Sequence, residues 1–479
     1  MHVTSLSLPL ACLLALKTVA SSISWEFDPK NFQSSHIITQ DVAVIGRGAG
    51  GVYSAISLKD HGKSVIVVEK KNRIGGHTKT YTNPASGTPI KMGVSIFHNN
   101  TIVRDYMSQF NIPLGRGVSF FEHLVYHDFR TGKEVQVSYN DSDGAAFGAA
   151  MANLNKARDQ WPQLFDGTFL PNPVPAELYQ PFSAFVKKYG LEAVVPTLYN
   201  YNPGVGTAYV NIPTVEVLRY WGADIASFDF VSTARHNTSE LYSNAQAELA
   251  AASSLLLRSE VTRSFRSDRG ATLIVKTPEG PKLIIAKKLV IAIPPKTDLL
   301  SPFDLDSQEK MVFGKWINGG YWVSIVKNSG FPDDTSITNA VAEGLYNFPP
   351  LPQTYSFAPT GVPGLQLTTF GTEQTTTSIP MTDAQVKAGI IKAIKTLQKA
   401  NPGKFNATGE PEFVDFRDHS PYALQVNGED IKAGFYDMLY ELQGKRSTYY
   451  TGAAWVSEDS SRIWRYSKEQ MLPKLLAGL

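Results

Sequence analysis

Three glycines at fixed spacing are the first residues in this chain able to do chemistry. In VAVIGRGAGG (42–51) they read Gly46-x-Gly48-x-x-Gly51, behind an apolar run and ahead of a helix-like stretch. Gly46 permits a tight turn, Gly48 lets a pyrophosphate approach the backbone, and Gly51 lets helix and strand pack closely. A helix starting here turns its first amides and the positive end of its dipole toward phosphates. Glu69 closes the next apolar run, SVIVVE (64–69). There it would accept from ribose hydroxyls and disfavour a 2′-phosphate. The loop is thus the ADP half of a dinucleotide site, and alone it does not separate NAD from FAD.

These residues need a frame. Residues 42–45 read as a buried strand, 51–61 as a helix and 64–69 as the next strand, a βαβ opening that implies an α/β fold with a parallel, helix-covered sheet. From about 112 to 235 the chain is rich in aromatics, Pro and Gly and reads as the start of a second unit. Residues 239–257 read as a helix, and the stretch to Pro295 as strand, turn, strand, strand. A further helix is expected over 382–400, stopped by Asn401-Pro402-Gly403. STYYTGA reads as a last strand, followed by a helix from Ser460 to Leu476. The expected domains are a cofactor domain in three pieces (38–111, 236–299 and 440–479) and a mixed α+β substrate domain from 112–235 and 300–439.

Composition narrows the class. With 479 residues, 43% hydrophobic and 18% charged, the chain can bury a large core. A net charge of +2 without basic runs argues against nucleic acid as a partner. Residues 1–20 have the polar start, apolar stretch and small residues of a signal peptide, so a secretory-pathway lumen or secretion is expected. No later stretch reads as a stable membrane span. Asn99, Asn140, Asn237 and Asn406 head Asn-x-Ser/Thr triplets. The single cysteine, Cys12, falls in the leader, so the mature chain has no thiol nucleophile, disulfide or Cys-built zinc site. His123 and His127 lie four apart without an HExxH carboxylate, and no metal is expected.

A second motif adds a resemblance. EKKNRIGGH (69–77) is similar to the E-x-x-x-R-x-G-G-R/H signature of the flavin amine oxidase superfamily. The resemblance implies FAD and a three-layer, Rossmann-like FAD-binding domain interrupted by a substrate domain. It implies that Gly75 and Gly76 let the chain pass the diphosphate and ribityl chain, with Arg73 offsetting phosphate charge and His77 closing the motif. It also implies that Gly93, Val94, Ser95 and Ile96 of IKMGVSIFHNN lie near the ring or ribityl, that Val261 meets adenine, and that Gly452 of TYYTGAAW approaches the pyrophosphate. Taken whole, the chain resembles fungal FAD-dependent oxidoreductases of the β-cyclopiazonate dehydrogenase family. That family's named member closes a ring oxidatively on a prenylated indole tetramic acid. Two departures stand out: Ala453 sits where amine oxidases place an acid, and no flavin-site lysine is evident, Lys315 being a weak candidate.

With a flavin as hydride acceptor, the protein orients the substrate. Candidate groups are His419 and Tyr422 of DHSPYAL, with His419 accepting a proton near neutral pH. Trp455 would wall the flavin, Phe97 and His98 follow the flavin strand, and Tyr321 or Trp322 reaches flavin depth. A cysteinyl flavin link is excluded in the mature chain, and a histidyl link stays open. The leading expectation is oxidation of a small alkaloid or amine-like metabolite, with oxygen or another acceptor reoxidising the flavin. The alternatives are a secreted amine or L-amino-acid oxidase releasing peroxide, and a flavin-holding protein without catalysis.

Overall fold

The computed structural model describes residues 25–117, 123–137, 144–201, 209–221, 229–406 and 409–479. The expected leader and Asn140 lie outside the described residues.

The opening strand β1 (Ile37–Ile45) ends in four buried residues, Val42 to Ile45. β2 (Val65–Val68) is buried throughout. Continuous apolar runs of this kind are the mark of strands covered on both faces. The two pair in parallel, Val42 on Val65 through Ile45 on Val68. Between them runs the helix α1 (Ala49–Asp60). On its other edge β1 pairs in parallel with the long strand Gly280–Ile291. That strand forms an antiparallel meander with Glu260–Ser267 and Gly270–Thr277, and its C-terminal end pairs in parallel with Thr448–Tyr450. One sheet therefore gathers strands from the three segments expected to form the cofactor domain.

One expected element ends early. The helix starting at Ser239 stops at Ala251, not at residue 257. Ser253 has a φ of 52°, which turns the chain, and Leu255–Leu256 then pair with Val67 and Val68 at the sheet edge. Leucine suits either element, so the edge pairing decides. The C-terminal helix is drawn as Ser460–Tyr466, a wider turn at Ser467–Met471, and Leu472–Ala477. The helix at Asp383–Ala400 starts at a capping box made by Thr382 and Gln385.

A second, six-stranded sheet carries the strands Leu124–His127, Tyr321–Lys327, Ser336–Asn339, Gln353–Pro359, Leu365–Gly371 and Glu412–Asp418. It has its own core around Trp322, Phe357 and Ile394. The helical stretch after Gly144 packs into the core of the first sheet instead, through Leu154, Phe182, Leu198 and Trp221.

A buried ionic knot fastens the meander to the last strand. Arg266 donates to Asp304 Oδ1 at 3.0 Å and to the two Glu309 oxygens at 2.7 and 2.8 Å. Arg446 reaches the same two carboxylates, and the Tyr450 hydroxyl donates to Glu309. Strand Thr448–Tyr450 leads directly to Gly452, so this knot braces one wall of the functional site.

Candidate active site

The turn after β1 divides its glycines by task. Gly46 has a φ of +108°, and a Cβ there would lie 2.8 Å from the Ala292 carbonyl oxygen. A Cβ on Gly51 would lie 2.2 Å from the Gly46 carbonyl oxygen. Both are packing glycines. Gly48 is different: a Cβ there would meet no protein atom within 4 Å. It is the N-cap of α1 and provides no side-chain cap, so the first-turn amides are left for an anion.

The second motif folds against this turn. A Cβ on Gly76 would come within 2.8 Å of the Gly48 Cα, so glycine is needed for the two loops to touch. The Gly75 N–H donates to the Arg47 carbonyl at 2.9 Å. Arg73 is turned inward rather than toward a phosphate: its guanidinium donates to the carbonyls of Ile74, Thr78 and Gly76 at 3.0, 2.9 and 3.2 Å. It braces the Gly-Gly turn, and burial holds it down at about 10. Glu69 Oε1 accepts from the Lys71 N–H at 2.6 Å and faces Arg47 Nε at 3.2 Å, leaving Oε2 for a ribose. Burial raises its pKa, against the pull of the Lys71 amide and Arg47. The Ser259 N–H donates to the Glu69 carbonyl at 2.9 Å, which brings Val261 to the same corner.

From Gly76 the wall continues through His77. Gly93 crosses directly over it, with a φ of +157° and a Cβ position 2.0 Å from the His77 carbonyl oxygen and 3.2 Å from His419 Cε1. The His77 and His419 rings stack at 4.5 Å and 9°. The His419 N–H donates to the Tyr321 carbonyl at 2.8 Å. Tyr321 stacks on Tyr422 at 4.6 Å. The strand Tyr422–Gln425 packs on the turn Ala453–Trp455. That turn returns to α1, since a Cβ on Gly50 would touch Thr451 at 2.8 Å.

These contacts close into a ring around a cradle. Gly48, His77, Gly93, Val94, Ser95, Ile96, Tyr321, Tyr422, Gly452 and Ala453 all keep some solvent-accessible surface. Gly452, with a φ of +118°, resembles Gly48 in having no protein atom within 4 Å of a Cβ position. A backbone bared at two glycines, an uncapped helix start and a free carboxylate oxygen fit the diphosphate and ribose of FAD. Gly48, Gly76 and Gly452 would hold its phosphates and Glu69 its ribose.

Several expected site residues lie elsewhere. Trp455 is 1% exposed, stacks on Tyr450 and accepts from Tyr440 through its carbonyl, so it is core and walls nothing. Phe97 stacks on Trp464, and His98 bonds Asp459 at 2.7 Å, both sealed from the cradle. Trp322 is fully buried, because side chains alternate along its strand and Tyr321 takes the cradle side. Lys315 is paired with Asp430. His419 does not titrate near neutral pH: burial, with His77, Arg73 and Arg417 beside it, holds its pKa well below 6.5. Burial pushes the Tyr422 phenol well above 10, so it is a hydrogen-bond donor.

Sequence reasoning missed Glu458. It is half-buried, accepts from the Tyr220 hydroxyl and lies close enough to Tyr422 to raise its pKa. Its neighbour Asp459 is fully used by His98 and by the amides of Ser461 and Arg462. The spacing from Gly452 was the available signal.

Fold and cradle together define a flavin-dependent oxidoreductase. Residues 44–110 match the NAD(P)-binding Rossmann-like domain family. The chain is 48% identical to the FAD-dependent oxidoreductase oblC of Cochliobolus heterostrophus, across 100% of this chain and 99% of that one. It is 34% identical to β-cyclopiazonate dehydrogenase of Aspergillus oryzae, across 90% and 92%. Its fold is shared with cyclohexylamine oxidase from Brevibacterium oxydans, with a TM-score of 0.61 at 15% identity over 92% and 98% of the two chains. The chain belongs to the fungal FAD-dependent oxidoreductase family that includes β-cyclopiazonate dehydrogenase, and FAD is its cofactor.

Proposed function

We propose that this oxidoreductase oxidises a small, flat, uncharged natural product, with oxidative ring closure as one outcome. The observation that carries this reading is the wall of Tyr321, Tyr422 and His77, with His419 stacked behind His77. Its phenols are held protonated, and burial and neighbouring cations keep its imidazoles neutral. Such a surface stacks on a planar ring system and offers hydrogen bonds without charge. The similarity to β-cyclopiazonate dehydrogenase supports the same substrate class. A bound flavin supplies the hydride acceptor, and oxygen or another acceptor restores it. The chain's own part is to stack the substrate on Tyr422 and Tyr321 and to exclude water.

A second reading, an amine or amino-acid oxidase releasing peroxide, is favoured by Glu458. A half-buried carboxylate with a phenol partner can take a substrate ammonium. Anaerobic mixing separates the two. Neutral prenylated indoles should bleach the flavin, and simple amines and amino acids should not. Peroxide release across an amine panel, lost at least ~10-fold in Glu458→Gln, would overturn the first reading in favour of the second.

We also propose passage through the secretory pathway, supported by the leader-like residues 1–20. Asn406 is exposed and, among the described residues, its amide donates only to the Gly403 carbonyl at 3.4 Å, whereas the Asn99 amide donates to both Asp229 oxygens at 3.0 and 2.9 Å. Asn406→Gln should therefore remove a glycan-dependent mobility shift that Asn99→Gln leaves in place. The reverse pattern would contradict this assignment.

A further inference from the structure

We propose that His419 is a positioning residue for the cofactor: its ring stack holds His77 against the bound FAD as a neutral hydrogen-bonding group. The geometry is specific. The two imidazoles lie parallel at 4.5 Å, and the His77 ring lines the cradle while His419, 5% exposed, stands behind it. His419 is itself anchored, by its backbone N–H on Tyr321 and by Asp418, which accepts from the Ser420 N–H at 2.7 Å. Gly93 passes close to both residues: a Cβ on it would lie 2.0 Å from the His77 carbonyl oxygen and 3.2 Å from His419 Cε1. No hydrogen bond from either imidazole to protein is found among the described residues, which leaves the His77 nitrogens available to a ligand.

The surroundings favour a neutral pair. Arg47 and Arg73 face His77, and Arg73 and Arg417 face His419. Lys79 lies close to Arg73 and Arg417. Of the nearby carboxylates, Glu69 faces Arg47 and Asp415 faces Arg417, while Asp418, whose pKa burial raises, accepts from the Ser420 N–H. A proton on either ring would add a cation to this group and set it against its stacked neighbour. The cradle thus offers a bound cofactor an uncharged N–H at His77.

The test compares His419→Ala with His419→Phe in the FAD-loaded enzyme, measuring FAD loss on dilution and the protonation state of His77 by ¹⁵N-imidazole NMR. His419→Ala should weaken FAD binding by about fivefold to tenfold, the size of one lost ring stack. His419→Phe keeps a flat ring in the same place and should restore wild-type retention. In wild type and His419→Phe, His77 should be neutral at pH 7. The proposal is overturned if His419→Ala retains FAD as wild type does, if His419→Phe fails as the alanine variant does, or if His77 of the wild-type holoenzyme is an imidazolium at pH 7. Should the alanine variant not fold, the phenylalanine variant and the wild-type His77 spectrum decide.

Discussion

Gly48→Val is expected to abolish FAD binding and leave the chain folded. Gly48 has a φ of −73°, which any residue adopts, and its Cβ direction meets no protein atom within 4 Å. The side chain would therefore cost the protein little and would occupy the approach to the first amides of α1. Phosphate contact and fit are lost together, so FAD affinity should fall by on the order of 100-fold or more. Gly51→Val is the control with the opposite signature. Its Cβ would lie 2.2 Å from the Gly46 carbonyl oxygen, so the strand-to-helix turn cannot form. Flavin content after acid release and the thermal midpoint, measured on both variants, separate a cradle glycine from a packing glycine. A folded Gly48→Val protein with near-normal flavin would show that the diphosphate lies elsewhere.

Glu309→Ala is expected to be the most destabilising single carboxylate removal near the cofactor sheet. Arg266 is fully buried at its side chain and depends on Glu309 and Asp304 for charge balance. Removing Glu309 strands much of that charge, which costs about 3–5 kcal/mol. By contrast, removing Glu26 from its surface pair with Arg263 should cost at most ~1 kcal/mol. Urea unfolding of the two variants checks the difference, and a Glu309→Ala cost under ~1 kcal/mol would refute it. The same knot sets an acid limit. Arg266 and hydrogen bonds to Ser264 and the Arg266 amide hold Asp304 below its ordinary value of 3.8, although burial opposes them. Glu309 is likewise held below 4.5 by Arg266 and the Tyr450 hydroxyl, again against burial. A folded-state pKa below the unfolded one adds stability that is complete above the ordinary carboxylate range. It is lost as pH falls through the folded values. The stability contribution of the knot should therefore be flat at neutral pH and fall away only on the acid side.

What the sequence made legible was local. Gly46, Gly48, Gly51 and Glu69 sit within one βαβ unit, and the packing roles of Gly46 and Gly51 follow from the sterics of its turn. The glycines of the second motif were legible for the same reason, while Arg73 was not. An arginine beside a phosphate loop and one that braces its own turn have the same sequence, and only the carbonyls of Ile74, Thr78 and Gly76 distinguish them. Distant partners were also hidden. His77 and His419 come from opposite ends of the chain, and nothing in GGH or DHSPYAL announces a ring stack. Trp455 was misjudged because proximity to Gly452 along the chain does not say which way a side chain points. Leu255 and Leu256 went to the wrong element because a sheet edge, invisible locally, outbid the helix.

The central claim is that the ring of Gly48, Gly76, His77, Gly93, Tyr422 and Gly452 encloses FAD. Acid release of the bound nucleotide from purified wild-type protein, with its identity and amount measured, tests this most directly. The account predicts FAD at close to one equivalent per chain. Release of NAD or NADP in its place, or protein that holds no flavin even after incubation with FAD, would contradict it.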